Sequence, residues 1–323
     1  MKSKFETIYV ICPGSLKTGG TEVAHQLVFL LNEMGAEAKI AYFVLEEGSD
    51  KPLCHPELAH YVQGKTALLD DIPDVDKIAT VIPESYPEII SIFEHVQMYL
   101  WWLSFDNFLK SMYEPEKLQL IYKLMKIRNV KHLVQSEYAK VCIIREGIAP
   151  EDISFLSDYL NDYYLETMPD LSSRSRQNLV LYNPLKGLEY VEQLVEAASD
   201  IQFMPIMKMT NRQVIDLMHR SKVYIDFGSH PGKDRIPREA AMCGLCVITG
   251  RKGSAAYYED VPLDDRYKIS EKETLIPEVV EVIRNCLTNY DEEVHNFDDY
   301  REKIRGEKDR FINEIREIFL MEG

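Results

Sequence analysis

Short apolar runs of β-strand character alternate with stretches of helical spacing along most of this chain, and that alternation limits the folds open to it more than any other feature. Thr7–Cys12 (TIYVIC) reads as a buried strand. Val23, Leu27, Leu30, Leu31 and Met34 then recur at helical spacing until Gly35, and Ala38–Phe43 (AKIAYF) is strand-like again. Strand, loop, helix, strand in that order favours a parallel sheet. Ile78–Ile82, Met98–Leu103, His132–Gln135 and Asp152–Leu156 continue the series. The second half repeats it with strands Asn178–Tyr182, Ile201–Ile206, Val223–Phe227 and Leu245–Thr249 and helices Leu188–Ala198 and Arg235–Cys243. Thr210 and Gln213 have capping-box spacing ahead of a further helix. Residues 46–73 contain Gly, Pro and Asp and read as a long loop with a short helix.

The expectation is two α/β domains of Rossmann-like build, residues 1–168 and 169–300, with the polar stretch Asp170–Gln177 (DLSSRSRQ) near their linker. A final helix, 301–323, carries Phe311, Ile312, Ile315, Ile318 and Phe319 on one stripe and so needs an apolar surface.

A length of 323 residues accommodates two domains, and 46% hydrophobic with 28% charged residues is a globular composition. The net charge of −16 argues against nucleic acid as a partner. No apolar run is long enough to span a bilayer, and no signal-peptide core is read at the N-terminus. A cytoplasmic protein is expected, with peripheral contact at the inner membrane face and a homodimer left open. The six cysteines fit reduced thiols; Cys243 and Cys246 have CxxC spacing without a second pair and read as core.

Gly19-Gly20-Thr21-Glu22 lies between the first strand and the first helix, where backbone N–H groups are available to an anion. It is neither GxGxxG nor a P-loop. Lys186-Gly187 follows the first strand of the second half. Ser229–Gly244 then gathers His230, Lys233, Asp234, Arg235, Arg238 and Glu239 between a buried strand and a small-residue helix. That is the C-terminal edge of a parallel sheet, the usual ligand crevice. Gly253-Ser254 follows the next strand as a second anion-cradling loop. Weaker signals are Asp74-Val-Asp76, read as chance, and Tyr99, Trp101 and Trp102, which could stack on a sugar but more often form core. His95 is a weak candidate for contact with an acceptor.

With these residues in place the chain resembles the GT-B glycosyltransferases, especially the retaining family 4 type. Gly19-Gly20-Thr21-Glu22 is similar to that family's N-terminal glycine loop, Lys186-Gly187 to its lysine-glycine, and Glu239-Ala-Ala-Met-Cys-Gly244 to its Glu-Ala-Met-Ala-Cys-Gly signature. The resemblance implies two Rossmann-like domains whose parallel sheets face a central cleft, with the last helix returning to the first domain. It implies a nucleotide-diphosphate-sugar donor, Lys186 on the diphosphate, Glu239 on the ribose and a saccharide or lipid-linked acceptor. Gly19, Gly20, Lys233, Arg235, Arg238, Gly253 and Ser254 join the expected donor set. A metal-independent hexosyl transfer in surface polysaccharide or glycoconjugate synthesis follows, with no cofactor. The sequence departs from the family at Pro231, where the first of two glutamates is expected; Asp234 and His230 are the nearest groups to take over the sugar contact. That departure keeps two alternatives in view, a non-catalytic adaptor of another transferase and a sugar-nucleotide epimerase.

Overall fold

The computed structural model describes residues 2–44, 53–271 and 274–321. The chain divides into two compact units: unit 1 is residues 1–158 with 309–323, and unit 2 is residues 159–308.

Unit 1 is built on seven parallel strands: β2 (Thr7–Pro13), β3 (Ala38–Phe43), β4 (Thr66–Leu68), β5 (Ile78–Pro83), β6 (Gln97–Trp102), β7 (Lys131–Val134) and β8 (Ile153–Phe155). Their order is β4-β3-β2-β5-β6-β7-β8. The chain therefore builds outward from β2 on one side and then crosses to β5 on the other. Most of these strands are short, nearly continuous apolar runs, as strands buried on both faces must be. A small antiparallel ribbon pairs β1 (Lys2–Ser3) with β14 (Leu320–Met321). The last helix, Glu307–Phe319, gives unit 1 four buried side chains, Phe311, Ile315, Ile318 and Phe319. Phe311 stacks on Trp101 with centroids 6.3 Å apart, and Phe319 meets Tyr99 edge-on at 5.3 Å.

Unit 2 holds β9 (Gln177–Tyr182), β10 (Gln202–Pro205), β11 (Ser221–Asp226), β12 (Cys246–Gly250) and β13 (Lys268–Ile269), all parallel, in the order β10-β9-β11-β12-β13. The capping box at Thr210 and Gln213 forms as its spacing requires. Asp170–Gln177, whose polarity suggests a linker, lies within unit 2. Its Arg176 is buried and donates to the carbonyls of Asp170, Met218, Ser221 and Cys243, closing the end of the sheet. Cys243 and Cys246 are buried free thiols, and burial pushes the Cys243 thiol up to about 12. Of the stretch 46–73, residues 46–52 lie outside the described residues; the remainder contains the short helix Ala59–Val62 and strand β4.

Candidate functional site

In a doubly wound sheet the ligand crevice opens where the strand order reverses, at the C-terminal ends of the two central strands. In unit 2 those strands are β9 and β11, which run side by side in parallel. The segment leaving β9 carries Lys186, and β11 ends at Asp226. Two glycines bring the segments into contact. Gly187 has φ +68°, and a Cβ there would lie 2.6 Å from the backbone of Phe227 and Gly228. A Cβ on Gly228 would lie 2.5 Å from the Lys186 side chain. Lys186 is thereby laid across the start of the loop that follows β11.

Its ammonium pairs with Asp234, sits 3.4 Å from Asp226 Oδ2 and donates to Ser229 O at 3.2 Å. His230 is buried between the same two carboxylates, with Nδ1 2.9 Å from Asp234 Oδ2 and Nε2 3.7 Å from Asp226 Oδ1. Asp226 also accepts from the Tyr224 hydroxyl at 3.0 Å and from Gly228 N–H at 3.1 Å. Asp234 occupies the N-cap position of the helix Arg235–Met242, yet its carboxylate does not cap that helix; it turns to Lys186 and His230 instead. Burial alone would raise the Asp234 carboxyl. The His230 hydrogen bond and the Lys186 ammonium outweigh burial and hold it below the usual carboxylate range.

The geometry sorts the other expected residues. Lys233 and Arg238 point inward, to opposite oxygens of buried Glu307, at 2.9 Å and 2.7 Å. Each faces a carboxylate, as Lys186 also does; the difference is exposure, 23% for the Lys186 side chain against 6% for Lys233 and 2% for Arg238. Gly253 has φ +55°, and its position against the His230 carbonyl leaves no room for a Cβ. Ser254 turns the same way: its N–H donates to His230 O at 2.9 Å and its hydroxyl to Gly232 O at 2.7 Å. That pair braces the loop rather than presenting donors outward. Arg235 and Glu239 lie four residues apart on one face of their helix and are both part-exposed. Burial first, then the Glu239 carboxylate among the neighbouring charges, pushes the Tyr164 phenol up. Asp226, His230 and Asp234 also bring ligand atoms within 4.8 Å of one another, a spacing a metal ion could use. The Lys186 ammonium already lies against both carboxylates, so a metal would have to displace it.

In unit 1 the helix Gly19–Glu33 opens with Gly19 and Gly20 behind Thr18, which forms a capping box with Thr21. A Cβ on Gly20 would meet Leu103 at 3.4 Å. Trp101 and Trp102 are fully buried, which corrects their expected role as stacking platforms. Trp101 donates to Leu156 O and Trp102 to His132 Nδ1, so both indoles belong to the core. His95 is exposed, and its backbone N–H, with those of Glu94 and Val96, donates to Asp74. Asp74 is thus a loop clasp. The reversal of strand order in unit 1 falls between β2 and β5, and β5 leads into Glu84. Glu84 is buried, accepts from Leu103 N–H and the Ser85 hydroxyl, and is pushed up to about 7 by burial.

No family profile and no curated protein matches the sequence. Solved structures do match the fold along nearly its whole length. The chain is similar to Anabaena HepE in complex with UDP-glucose, with a TM-score of 0.61 at 12% identity over 96% of this chain and 98% of that one. It is similar to WaaG, a glycosyltransferase involved in lipopolysaccharide biosynthesis, with a TM-score of 0.58 at 14% identity over 96% and 99%. It is similar to the lipopolysaccharide outer core galactosyltransferase WaaB, with a TM-score of 0.57 at 11% identity over 95% and 99%. The fold is GT-B.

Within this GT-B chain the residues missed by sequence reasoning are Tyr224, Asp226, Gly228 and Glu307. Asp226 had a legible signal, a lone carboxylate closing the apolar run VYID at a central strand's C-terminal end. Glu307 had none, because it lies 69 residues beyond the arginine it pairs with.

Proposed function

We propose that the protein is a glycosyltransferase that takes a hexose from a uridine-diphosphate sugar, with the donor at the Lys186–Asp234 site. The observation that carries this reading is Lys186 held at the strand-order reversal of unit 2 beside a part-exposed Asp234. In the reaction the bond from the sugar's anomeric carbon to the diphosphate oxygen breaks, and the diphosphate keeps the electron pair. The acceptor hydroxyl oxygen forms the new bond and gives its proton to the departing diphosphate. Lys186 would meet the developing diphosphate charge, which a pre-placed cation stabilises more than it does the ground state. Asp234 would take a sugar hydroxyl, as a residue of the loop in which Pro231 stands where family 4 enzymes place a glutamate. His230, enclosed between Asp226 and Asp234, orients Asp234 rather than meeting substrate. Glu239 would hold the ribose, with Arg235 on the same helix face beside the nucleotide. Lys186 supplies the cation without a metal ion.

HepE was solved with UDP-glucose, and WaaG and WaaB serve lipopolysaccharide, which supports a uridine nucleotide and a saccharide or lipid-linked acceptor in surface polysaccharide synthesis. Peripheral contact with a membrane is supported by the helix Pro115–Ile127. Its inner face buries Ile121 and Met125, while Leu120 and Ile127 are exposed on the outer face with Lys117 and Lys123 on either side. The test of the donor reading is a thermal-shift panel of nucleotide diphosphates and their sugars, followed by an acceptor screen with the best donor. Stabilisation by UDP and UDP-sugars, then transfer, is expected. A folded protein that no nucleotide diphosphate stabilises would overturn the reading, and donor binding without transfer to any acceptor would favour the adaptor.

A further inference from the structure

Glu307 opens the last helix and is 1% exposed. Its Oε1 faces Lys233 Nζ at 2.9 Å, and its Oε2 accepts from Arg238 at 2.7 Å. Arg238 uses its remaining edge on backbone: one terminal nitrogen donates to Lys233 O at 3.0 Å, and Nε to Asp234 O at 3.3 Å. The guanidinium is a rigid planar fork, so fixing one edge aims the other. Asp234, meanwhile, does not cap its own helix. Its backbone is held by Arg238, Arg238 is held by Glu307, and its carboxylate is left to face Lys186 and His230.

We propose that Glu307 is a positioning residue for Asp234, acting through Arg238 and Lys233. The proposal rests on the donor-site reading given above. The charges make the arrangement strict. Arg238 cannot shed its proton, and a buried cation that loses its counter-charge is strongly unfavourable. Without Glu307 both cations lose a buried carboxylate, and the loop that carries Asp234 loses the anchor which holds the Arg238 fork against its backbone. A salt bridge of purely structural role would lower stability without changing how Lys186 and Asp234 meet.

The experiment uses the full chain as wild type, Glu307→Gln and Arg238→Lys. The second variant keeps the buried charge paired with Glu307 but loses the fork, so it tests the same link with less risk to folding. Each protein is treated with a limiting amount of an acetylating N-hydroxysuccinimide ester, and Lys186 modification is read by peptide mass. Lys222 is the internal control for unfolding: it is buried and donates to Asn178 Oδ1 and Leu287 O. Expected in both variants is a rise in Lys186 labelling relative to Lys222. Turnover with a UDP-sugar should fall about tenfold, the scale of one lost hydrogen bond to a charge, with donor KM within about twofold. Lys186 labelling that stays at the wild-type level in Arg238→Lys, or that rises only in step with Lys222, overturns the proposal. A wild type that binds no nucleotide diphosphate sinks the donor reading instead, and the Lys186-to-Lys222 labelling ratio still decides whether Glu307 sets this geometry.

Discussion

Two carboxyl groups shifted in opposite directions give opposite pH signatures. Asp234 is held below its usual range, so its pairing contributes stability that is present above the ordinary value of 3.8 and is lost as pH falls through the lower folded value. On the proposed assignment, Asp234→Asn would remove the sugar contact and leave Lys186 to the diphosphate. Transfer should therefore fall at least about a hundredfold while UDP affinity, measured by calorimetry, changes by less than about threefold. Normal turnover in this variant would contradict the role. Glu84 is raised from 4.5 to about 7 by burial. Its contribution is fully present below 4.5 and is lost as pH rises through about 7. Glu84→Gln keeps an acceptor for Leu103 N–H and cannot ionise. The variant should gain on wild type between pH 5 and pH 8, by at most roughly 3 kcal/mol, in urea unfolding followed at both pH values. A stability difference that does not change with pH would show that Glu84 is not the buried ionising group.

Elements place these residues, and the two glycines at the ends of β9 and β11 show how. Gly187→Ala meets backbone and a positive φ together, whereas Gly228→Ala meets only the side chain of Lys186. The first should lose roughly 1–3 kcal/mol of stability. The second should lose less but displace Lys186, weakening UDP more than uridine in the same titrations. Equal weakening of both ligands would detach Lys186 from the diphosphate. The helix Pro115–Ile127 gives a second expectation at this scale. Leu120→Ser with Ile127→Ser should reduce co-sedimentation with vesicles containing anionic lipid, and added salt should reduce wild-type binding through Lys117 and Lys123. Retained binding by the double variant would place any membrane contact elsewhere. The strands of both sheets were legible because a doubly buried parallel strand is an almost continuous apolar run, as in TIYVIC and VYID. Among strands of only two or three residues, β8 was read and β1, β4, β13 and β14 were not, because so short a run seldom stands out from its surroundings. Asp170–Gln177 looked like a linker because polarity alone cannot reveal Arg176 folded inward onto four carbonyls. The loop after β11 was legible as a site from its charge density. Which of its charges lie open was not, because Glu307 draws Lys233 and Arg238 inward from far along the chain. The tryptophans were ambiguous for the same reason: composition does not say which face of β6 is covered.

At the scale of the whole molecule, the last stretch of chain serves the two units separately, and two truncations distinguish its parts. Ending the chain after Lys308 keeps Glu307, and with it the partner of Lys233 and Arg238 in unit 2. It removes Phe311, Ile315 and Phe319 from the core of unit 1, the ribbon of β14 with β1, and Glu314, which accepts from the Ser157 N–H and hydroxyl. Deleting even one buried aromatic typically costs about 3–5 kcal/mol, so unit 1 should melt well before unit 2 and expose Tyr99 and Trp101. Ending the chain after Tyr300 takes away the same unit 1 contacts, Glu307 with the carboxylate that Lys233 and Arg238 share, and the buried Arg301 and Ile304 of unit 2. The first truncation should therefore keep UDP affinity close to wild type while losing transfer. The second should lose UDP binding as well. Calorimetric scans with and without UDP read both effects: the shorter protein shows no nucleotide-dependent shift, whereas the longer one retains a shift in the later transition. Equal UDP binding by the two truncated proteins would mean that residues 301–308 contribute nothing to nucleotide affinity.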